Sequence, residues 1–125
     1  MNTPANLKYT KSDEWFDAAS GKAGLTDFAQ SQLSDIVFVE ILVSTGDMVE
    51  VGTPIASVES VKAAAEIYSP VAGKVVAVNS DLAAASETLN SDPFGAGWMI
   101  KVEGADPSGM MDAATYEKDC EGRAH

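Results

Sequence analysis

The sequence has very little cysteine and histidine. Cys120 is the only cysteine among 125 residues, and the only histidine is the terminal His125. A single cysteine cannot form an intramolecular disulfide, and a thiol without an activating neighbour is a poor nucleophile. One terminal histidine is badly placed for a catalytic triad and cannot build a histidine-rich metal site. We therefore expect no disulfide framework, no catalytic thiol, no triad and no metal centre.

Long apolar runs and basic residues are also scarce. No run of 18 apolar residues occurs, and the N-terminal residues form neither an apolar signal core nor an Arg-rich segment. The 19 acidic residues outnumber the 8 basic ones, which gives a net charge of −11. This charge disfavours nucleic acids and anionic membranes, because both are bound through Lys and Arg. We expect a soluble intracellular protein whose partners present neutral or basic faces.

What is present indicates one mainly β domain. A chain of 125 residues, 46% of them hydrophobic, has the length and apolar content of a single domain. Thr26 is placed to cap a short helix from Asp27, and Asp106-Pro107 is typical of the start of a C-terminal helix that frays after Cys120. Short segments rich in β-branched residues lie between Gly and Pro turns and predict strands: 36–43, 55–58, 74–78 and 98–102. Five aromatic residues are expected to pack in the core: Trp15, Phe28, Phe38, Tyr68 and Trp98.

Residues 57–66 allow two local structures. Three consecutive alanines and two serines that could cap a helix favour a helix by propensity, and no Asn-Gly or Asp-Gly pair marks a hairpin. Turn residues and strand-like pieces on both sides favour instead a hairpin with Lys62 at its tip. Taken alone, Lys62 is most simply a solvated surface lysine.

Several motifs in one order resemble the glycine cleavage system H proteins. The segment E-S-V-K-A at 59–63 is similar to the family's lipoyl-lysine motif. Further similarities are K-Y-T-K-S-D-E-W from 8, L-T-D-F-A-Q from 25, D-I-V-F-V-E from 35, Y-S-P-V-A-G-K-V from 68 and N-S-D-P-F-G-A-G-W-M-I-K from 90. The resemblance covers about 7–120 and is specific because the motifs occur together. It implies a single lipoyl-carrier domain over 1–125.

The resemblance implies the fold and the attachment site. The fold would be a lipoyl-domain-like flattened β-barrel or sandwich, a barrel-sandwich hybrid, with short flanking helices and a C-terminal helix. The modified residue would be Lys62 on an exposed hairpin turn, which overrides the helix favoured by propensity. The attachment motif around it would comprise Glu59, Ser60, Val61 and Ala63. The cofactor would be lipoate, attached covalently as lipoyl-lysine.

The same resemblance implies a carrier without catalytic activity of its own. Such a carrier would take the aminomethyl group of glycine from a pyridoxal-phosphate-dependent glycine decarboxylase, the P protein. It would pass this group to a tetrahydrofolate-dependent aminomethyltransferase, the T protein, and be reoxidised by dihydrolipoyl dehydrogenase, the L protein. A lipoate ligase or a lipoyl or octanoyl transferase would load it. A monomer suits a shuttle that visits several enzymes, and its location would be the cytoplasm of a bacterium or the mitochondrial matrix of a eukaryote.

Two acidic residues are candidates for sheltering the arm. We expect Glu14 and Glu66 to line a cleft and pair with the ammonium-bearing arm, since excluding water protects labile groups. Three departures from the family pattern affect local loops. Asp13 replaces a common His, the segment 16–23 is short, and the segment 41–45 lacks a Pro and has room for an extra residue.

Three other functions fit parts of the pattern. A lipoyl relay that supplies lipoate to other enzymes would have the same motifs. A biotin carrier would typically have Met on both sides of the lysine, where this chain has Val61 and Ala63. A purely structural acidic β domain would not be modified at Lys62.

Overall fold

Nine short strands form two antiparallel sheets in the computed structural model, which describes residues 2–123. His125, which the sequence analysis considered, lies outside the described residues. The strands are β1 (Lys8–Tyr9), β2 (Glu14–Phe16), β3 (Lys22–Leu25), β4 (Ile36–Ile41), β5 (Met48–Val49), β6 (Pro54–Ser60), β7 (Ala64–Tyr68), β8 (Gly73–Val78) and β9 (Ile100–Glu103). The helices are α1 (Asp27–Leu33), a 3₁₀ helix (Ser80–Ala84), α2 (Thr88–Ser91) and α3 (Ala113–Arg123).

The two sheets differ in size. One has six strands in the order β1-β2-β3-β9-β8-β5, and the other has three in the order β4-β6-β7. Their apolar inner sides share a core in which Ile55, Val58, Val75 and Ile100 are fully buried. The predicted mainly β sandwich with short flanking helices is confirmed. Among residues 2–123 the strands do not close into a barrel, because each sheet keeps two edge strands.

The three-stranded sheet has β6 at its centre. β6 pairs along almost its whole length with β4 on one side and β7 on the other. A bulge at Val37 interrupts the pairing between β4 and β6 near the end that leads into Lys62. A bulge places an extra residue in one strand and turns side chains out of the regular alternation. Val37 and Phe38 consequently both lie exposed.

The short helix after β3 forms as predicted. The side chain of Thr26 caps α1, because its Oγ1 accepts a hydrogen bond from the Ala29 amide at 3.2 Å. Asp27 lies in the first turn, where negative charge favours a helix. Phe28 and Ala29 face the protein interior. The 3₁₀ helix and α2 were not predicted, since both are short and lack a side-chain N-cap bond.

The predicted start of the C-terminal helix is wrong. Asp106 bonds the Ser108 amide and thereby caps a turn, and the helix begins only at Ala113. Met111 exchanges two backbone hydrogen bonds with Tyr9, at 2.9 and 2.8 Å, and this β-bridge keeps Met111 out of the helix. Asp112 then accepts a bond from the Thr115 amide and takes the capping position. The predicted fraying after Cys120 is also wrong, since α3 continues to Arg123.

Gly21 provides a test of how the turn between β2 and β3 is built. It has φ +82°, and a Cβ atom there would lie 2.7 Å from the carbonyl oxygen of Val102. Gly52 also has a positive φ, +92°, but open space around it. Gly52→Ala should lower the free energy of unfolding by about 1 kcal/mol, through backbone strain alone. Gly21→Ala should cost about 1–3 kcal/mol more, because β9 must also move.

Chemical denaturation of both variants and the parent chain measures this difference. Both variants lose unfolding free energy through the strain of a positive φ. The difference between their losses therefore reports the contact of position 21 with Val102. Equal losses of unfolding free energy in the two variants would show that the turn can move away from β9 at no cost.

Candidate functional site

Lys62 lies exposed at the tip of the hairpin between β6 and β7. Ser60 fixes the shape of this turn. Its amide donates to the Ala63 carbonyl at 2.8 Å, and its Oγ accepts from the Ala63 amide and donates to the Ala63 carbonyl, both at 3.1 Å. Serine side chains compete with helical hydrogen bonding in this way. The serine that could have capped a helix therefore closes a tight hairpin.

A second contact ties the tip to the next strand. The Val61 amide donates to the Asp35 carbonyl at 3.0 Å, directly before β4. The turn is thus held both internally and from the side, while Lys62 remains exposed. The five residues of the predicted attachment motif form one rigid tip and the strand end that leads into it.

Strand register defines the outward face of the three-stranded sheet. Glu59 pairs with Phe38 on one side and with Ala64 on the other. Ser57 pairs with Glu40 and Glu66 in the same way. Directly paired residues point to the same face of a sheet. We call these six residues the outer face; it carries three exposed carboxylates.

One aromatic residue departs from the expected core packing. Phe38 is 47% exposed, whereas Trp15 and Phe28 are buried. The prediction that Phe38 packs in the core is wrong, because the bulge at Val37 turns its ring outward. The sequence gives no warning, since the apolar run from Ile36 to Val39 is typical of a strand buried on both faces.

A cleft of about 180 Å³ lies on the β7 side of the hairpin. Ala65 on its wall is three residues beyond Lys62, roughly 10 Å along an extended strand. Glu66 also lines the cleft, as predicted by position. The walls combine apolar and polar side chains: Leu25, Ala29, Leu33, Ala65 and Ile67 with Ser12, Asp13, Gln32 and Glu66.

The prediction that Glu14 lines this cleft is wrong: it is 1% exposed, and only its loop neighbours Ser12 and Asp13 form part of the wall. Its Oε1 accepts hydrogen bonds from Ser12 at 2.6 Å and from Thr10 at 2.8 Å. Its Oε2 is buried and has no hydrogen-bond partner within the described residues. A half-satisfied buried carboxyl is unusual, because an unpaired polar atom costs about 1–3 kcal/mol.

Burial raises the pKa of Glu14 above the ordinary value of 4.5. The hydrogen bonds from Ser12 and Thr10 oppose this rise, because they stabilise the charged form. The Tyr68 amide also lowers the pKa, although Oε2 has no hydrogen-bond partner. Glu14 is thus a buried carboxyl with a raised pKa and one oxygen without a hydrogen-bond partner.

The C-terminal helix holds the loop that carries these groups. Asp13 has φ +75°, which is strained for a residue with a side chain. Arg123 bonds both of its carboxylate oxygens, at 2.6 and 3.2 Å, and the Tyr116 hydroxyl donates to Oδ1 at 3.0 Å. The Asp13 carbonyl also accepts from the Thr26 amide at 3.0 Å. These contacts hold Asp13 between Ser12 and Glu14.

The sequence analysis missed this support. Its one signal was the acidic residue at position 13, which implies a basic partner but does not say which one. The pKa of Arg123 is raised, chiefly by its hydrogen bonds to Asp13. Cys120 on the same helix is free and buried, and burial raises the pKa of its thiol, which keeps it unreactive.

Residues 2–123 contain no cluster of three or more His, Cys, Asp or Glu side chains arranged to hold a metal ion. No helix in the same range is long and apolar enough to cross a membrane.

Comparisons with known proteins agree on one family. The family model described as "Glycine cleavage H-protein" matches residues 7–123. The glycine cleavage system H protein of Nitratidesulfovibrio vulgaris (strain DP4) is 46% identical over the full length of both chains. That of Koribacter versatilis (strain Ellin345) is 51% identical, with 94% of each chain covered.

A solved structure is also similar. The crystal structure of a glycine cleavage system H protein from Mycobacterium marinum aligns with a TM-score of 0.82 and 31% sequence identity. The alignment covers 92% of this chain and 96% of the other. The similarity therefore extends over nearly the whole fold.

The raised pKa of Glu14 makes stability depend on pH in a defined direction. The folded chain holds this proton at pH values where the unfolded chain, near 4.5, has already lost it. The contribution of Glu14 to the free energy of unfolding therefore falls as pH rises through this interval. Glu14→Gln keeps the shape of the side chain but removes its titration. Its stability relative to the parent chain should increase from acid toward neutral pH, as measured by urea unfolding.

Side-chain carboxyl NMR gives the titration directly. The midpoint for Glu14 should lie above 4.5. Ser12→Ala should move it further upward, because the Ser12 hydrogen bond stabilises the charged form. A midpoint at or below the ordinary value would show that hydrogen bonding outweighs burial at this carboxyl.

Proposed function

The chain belongs to the glycine cleavage H-protein family, and from this premise we propose that it carries lipoate on Lys62. With this arm it shuttles the aminomethyl group of glycine from the glycine decarboxylase to the aminomethyltransferase. It is then reoxidised by dihydrolipoyl dehydrogenase. The chain acts as a carrier and leaves the catalysis to these enzymes.

The observation that carries the proposal is the exposed Lys62 on a fixed hairpin tip, inside the segment that matches the family. An acylating enzyme needs an accessible primary amine presented in one geometry. The bonds of Ser60 and the contact between Val61 and Asp35 supply that geometry. A long flexible lysine stem then gives the arm its range of motion.

The residues present suit a lipoyl group. Its disulfide-containing ring supplies the redox and carrier chemistry when it is bound. Apolar side chains of Leu33, Ala65 and Ile67 in the cleft fit an aliphatic chain, and the unpaired Oε2 of Glu14, which is buried next to the wall residues Ser12 and Asp13, fits a nitrogen donor. The cleft begins next to the hairpin tip, so an arm attached at Lys62 can reach it.

Glu14 and Glu66 have different tasks in this proposal. Glu14 accepts a hydrogen bond from the amine of the carried group, in surroundings from which most water is excluded. Glu66 lies exposed at the cleft entrance and adds negative charge there. Ser12 orients the Glu14 carboxyl through its bond to Oε1, so Oε2 stays available.

A single attachment site is the first testable consequence. Incubated with a lipoate ligase, ATP and lipoate, the chain should gain the mass of one lipoyl group. Lys62→Arg keeps the positive charge but cannot be acylated in this way, so the increment should disappear. Intact-mass spectrometry measures both.

Lys74→Arg is the matched control, because Lys74 is an exposed strand lysine in the other sheet. It should keep the full increment. A remaining increment in Lys62→Arg would contradict the assignment of the site. A loaded chain that exchanges no carbon dioxide with the glycine decarboxylase would favour the relay function instead.

Protection of the carried group is the second consequence. Glu14→Gln should speed the loss of that group to water about tenfold, because a charge-assisted hydrogen bond becomes a neutral one. The release of ammonia from the loaded chain, in the absence of partner enzymes, gives the rate. Glu50→Gln removes an exposed carboxylate near the base of the hairpin and should leave the rate unchanged. Equal rates in the two variants would remove Glu14 from the mechanism.

A further inference from the structure

The outer face of the three-stranded sheet has the properties of a docking surface. Phe38, on the edge strand β4, is 47% exposed. Val37 beside it and Val61 in the hairpin turn are 57% and 67% exposed. Exposed apolar groups that lie together on a small soluble domain mark sites of interaction more often than isolated ones do. The core of this chain gains nothing from a phenylalanine ring left in water.

These three apolar residues lie close to Lys62 in sequence or in strand register. Val61 precedes it directly, and the Val61 amide is bonded to Asp35 at the start of β4. Val37 lies at the bulge between the pairs Ile36–Ser60 and Phe38–Glu59. The patch therefore lies on the β4 side, where Phe38 pairs with Glu59, three residues before Lys62, whereas the cleft lies on the β7 side. An arm in the cleft leaves the patch uncovered.

Acidic residues dominate the charge around the patch. Lys62 is the only basic residue between positions 23 and 73, against seven acidic ones. Three of these acids, Glu40, Glu59 and Glu66, lie exposed on the outer face. A complementary partner has a pocket for an aromatic ring with Lys or Arg side chains around it.

We propose that the outer face, with Phe38 as its anchor, docks the enzyme that acylates Lys62. This inference rests on the proposed lipoylation. The unmodified lysine is only a four-carbon stem with an amine, so the acylating enzyme must approach the tip closely enough to contact Val61, Val37 and Phe38. Enzymes that act on the loaded arm meet it farther from the sheet and do not require this contact.

Steady-state acylation by a purified lipoate ligase, followed by intact mass, tests the proposal. Phe38→Ser should raise the KM for the carrier about tenfold, as expected when a central aromatic anchor is removed, with kcat within about twofold of the parent. Glu40→Gln combined with Glu59→Gln should raise KM and reduce its dependence on salt. Thermal unfolding of each variant confirms that the fold is retained.

Val51→Ser is the matched control. Val51 is 70% exposed but lies at the base of the hairpin, and β6 with its seven residues is roughly 20 Å long. Its KM should equal that of the parent chain. Equal KM values for Phe38→Ser and Val51→Ser would overturn the proposal, and so would a loss confined to kcat.

The outcomes separate this inference from the proposed function. A parent chain that the ligase cannot acylate would refute the carrier function itself. A parent chain acylated normally, with Phe38→Ser acylated equally well, would refute only the docking surface. If Phe38→Ser instead slows exchange with the glycine decarboxylase alone, the face belongs to that enzyme and the proposal is wrong.

Discussion

The register of β6 with its two neighbours is the constraint on which the site depends. β6 pairs with β4 and β7 at once, and a shift by one residue would exchange the inner and outer faces of the sheet. The present register buries Val58 and places Glu59 between Phe38 and Ala64 on the outside. In this register β6 ends at Ser60, whose side chain closes the turn by bonding Ala63. The position of the lysine, the acidic face and the cleft wall all follow from it.

The buried carboxyl of Glu14 lowers the stability of the fold, and its surroundings explain how it is held. Thr10 and Ser12 satisfy one oxygen, and Asp13 between them is held by Arg123 and Tyr116. The other oxygen has no partner. An unpaired buried acceptor lowers stability, and the hydrogen bonds from Thr10 and Ser12 offset part of that cost. Protein groups alone satisfy half of this carboxyl, and a nitrogen donor on a carried group would complete it.

The sequence predicted the fold class, the Thr26 cap and the position of Lys62 correctly, for different reasons. Segments rich in β-branched residues between Gly and Pro turns indicated the strands, because this signal lies within one segment of the chain. The lysine hairpin needed the family resemblance, since Ala63 to Ala65 favour a helix and only packing between sheets overrides this preference. Contacts between distant segments were not predictable. Phe38 faces outward because of a bulge, and the late start of α3 depends on the pairing of Met111 with Tyr9.

The bond between Arg123 and Asp13 joins residues 110 positions apart. During synthesis the strands of the hairpin are made before α3, and the pairing of β6 with β7 needs no residue beyond Tyr68. The side chain of Asp13 must wait, because its bonds to Tyr116 and Arg123 cannot form until the last helix is made. The hairpin that presents Lys62 can therefore form before the Asp13 loop is fully supported. Translation itself sets an order in which the lysine hairpin precedes the finished cleft wall.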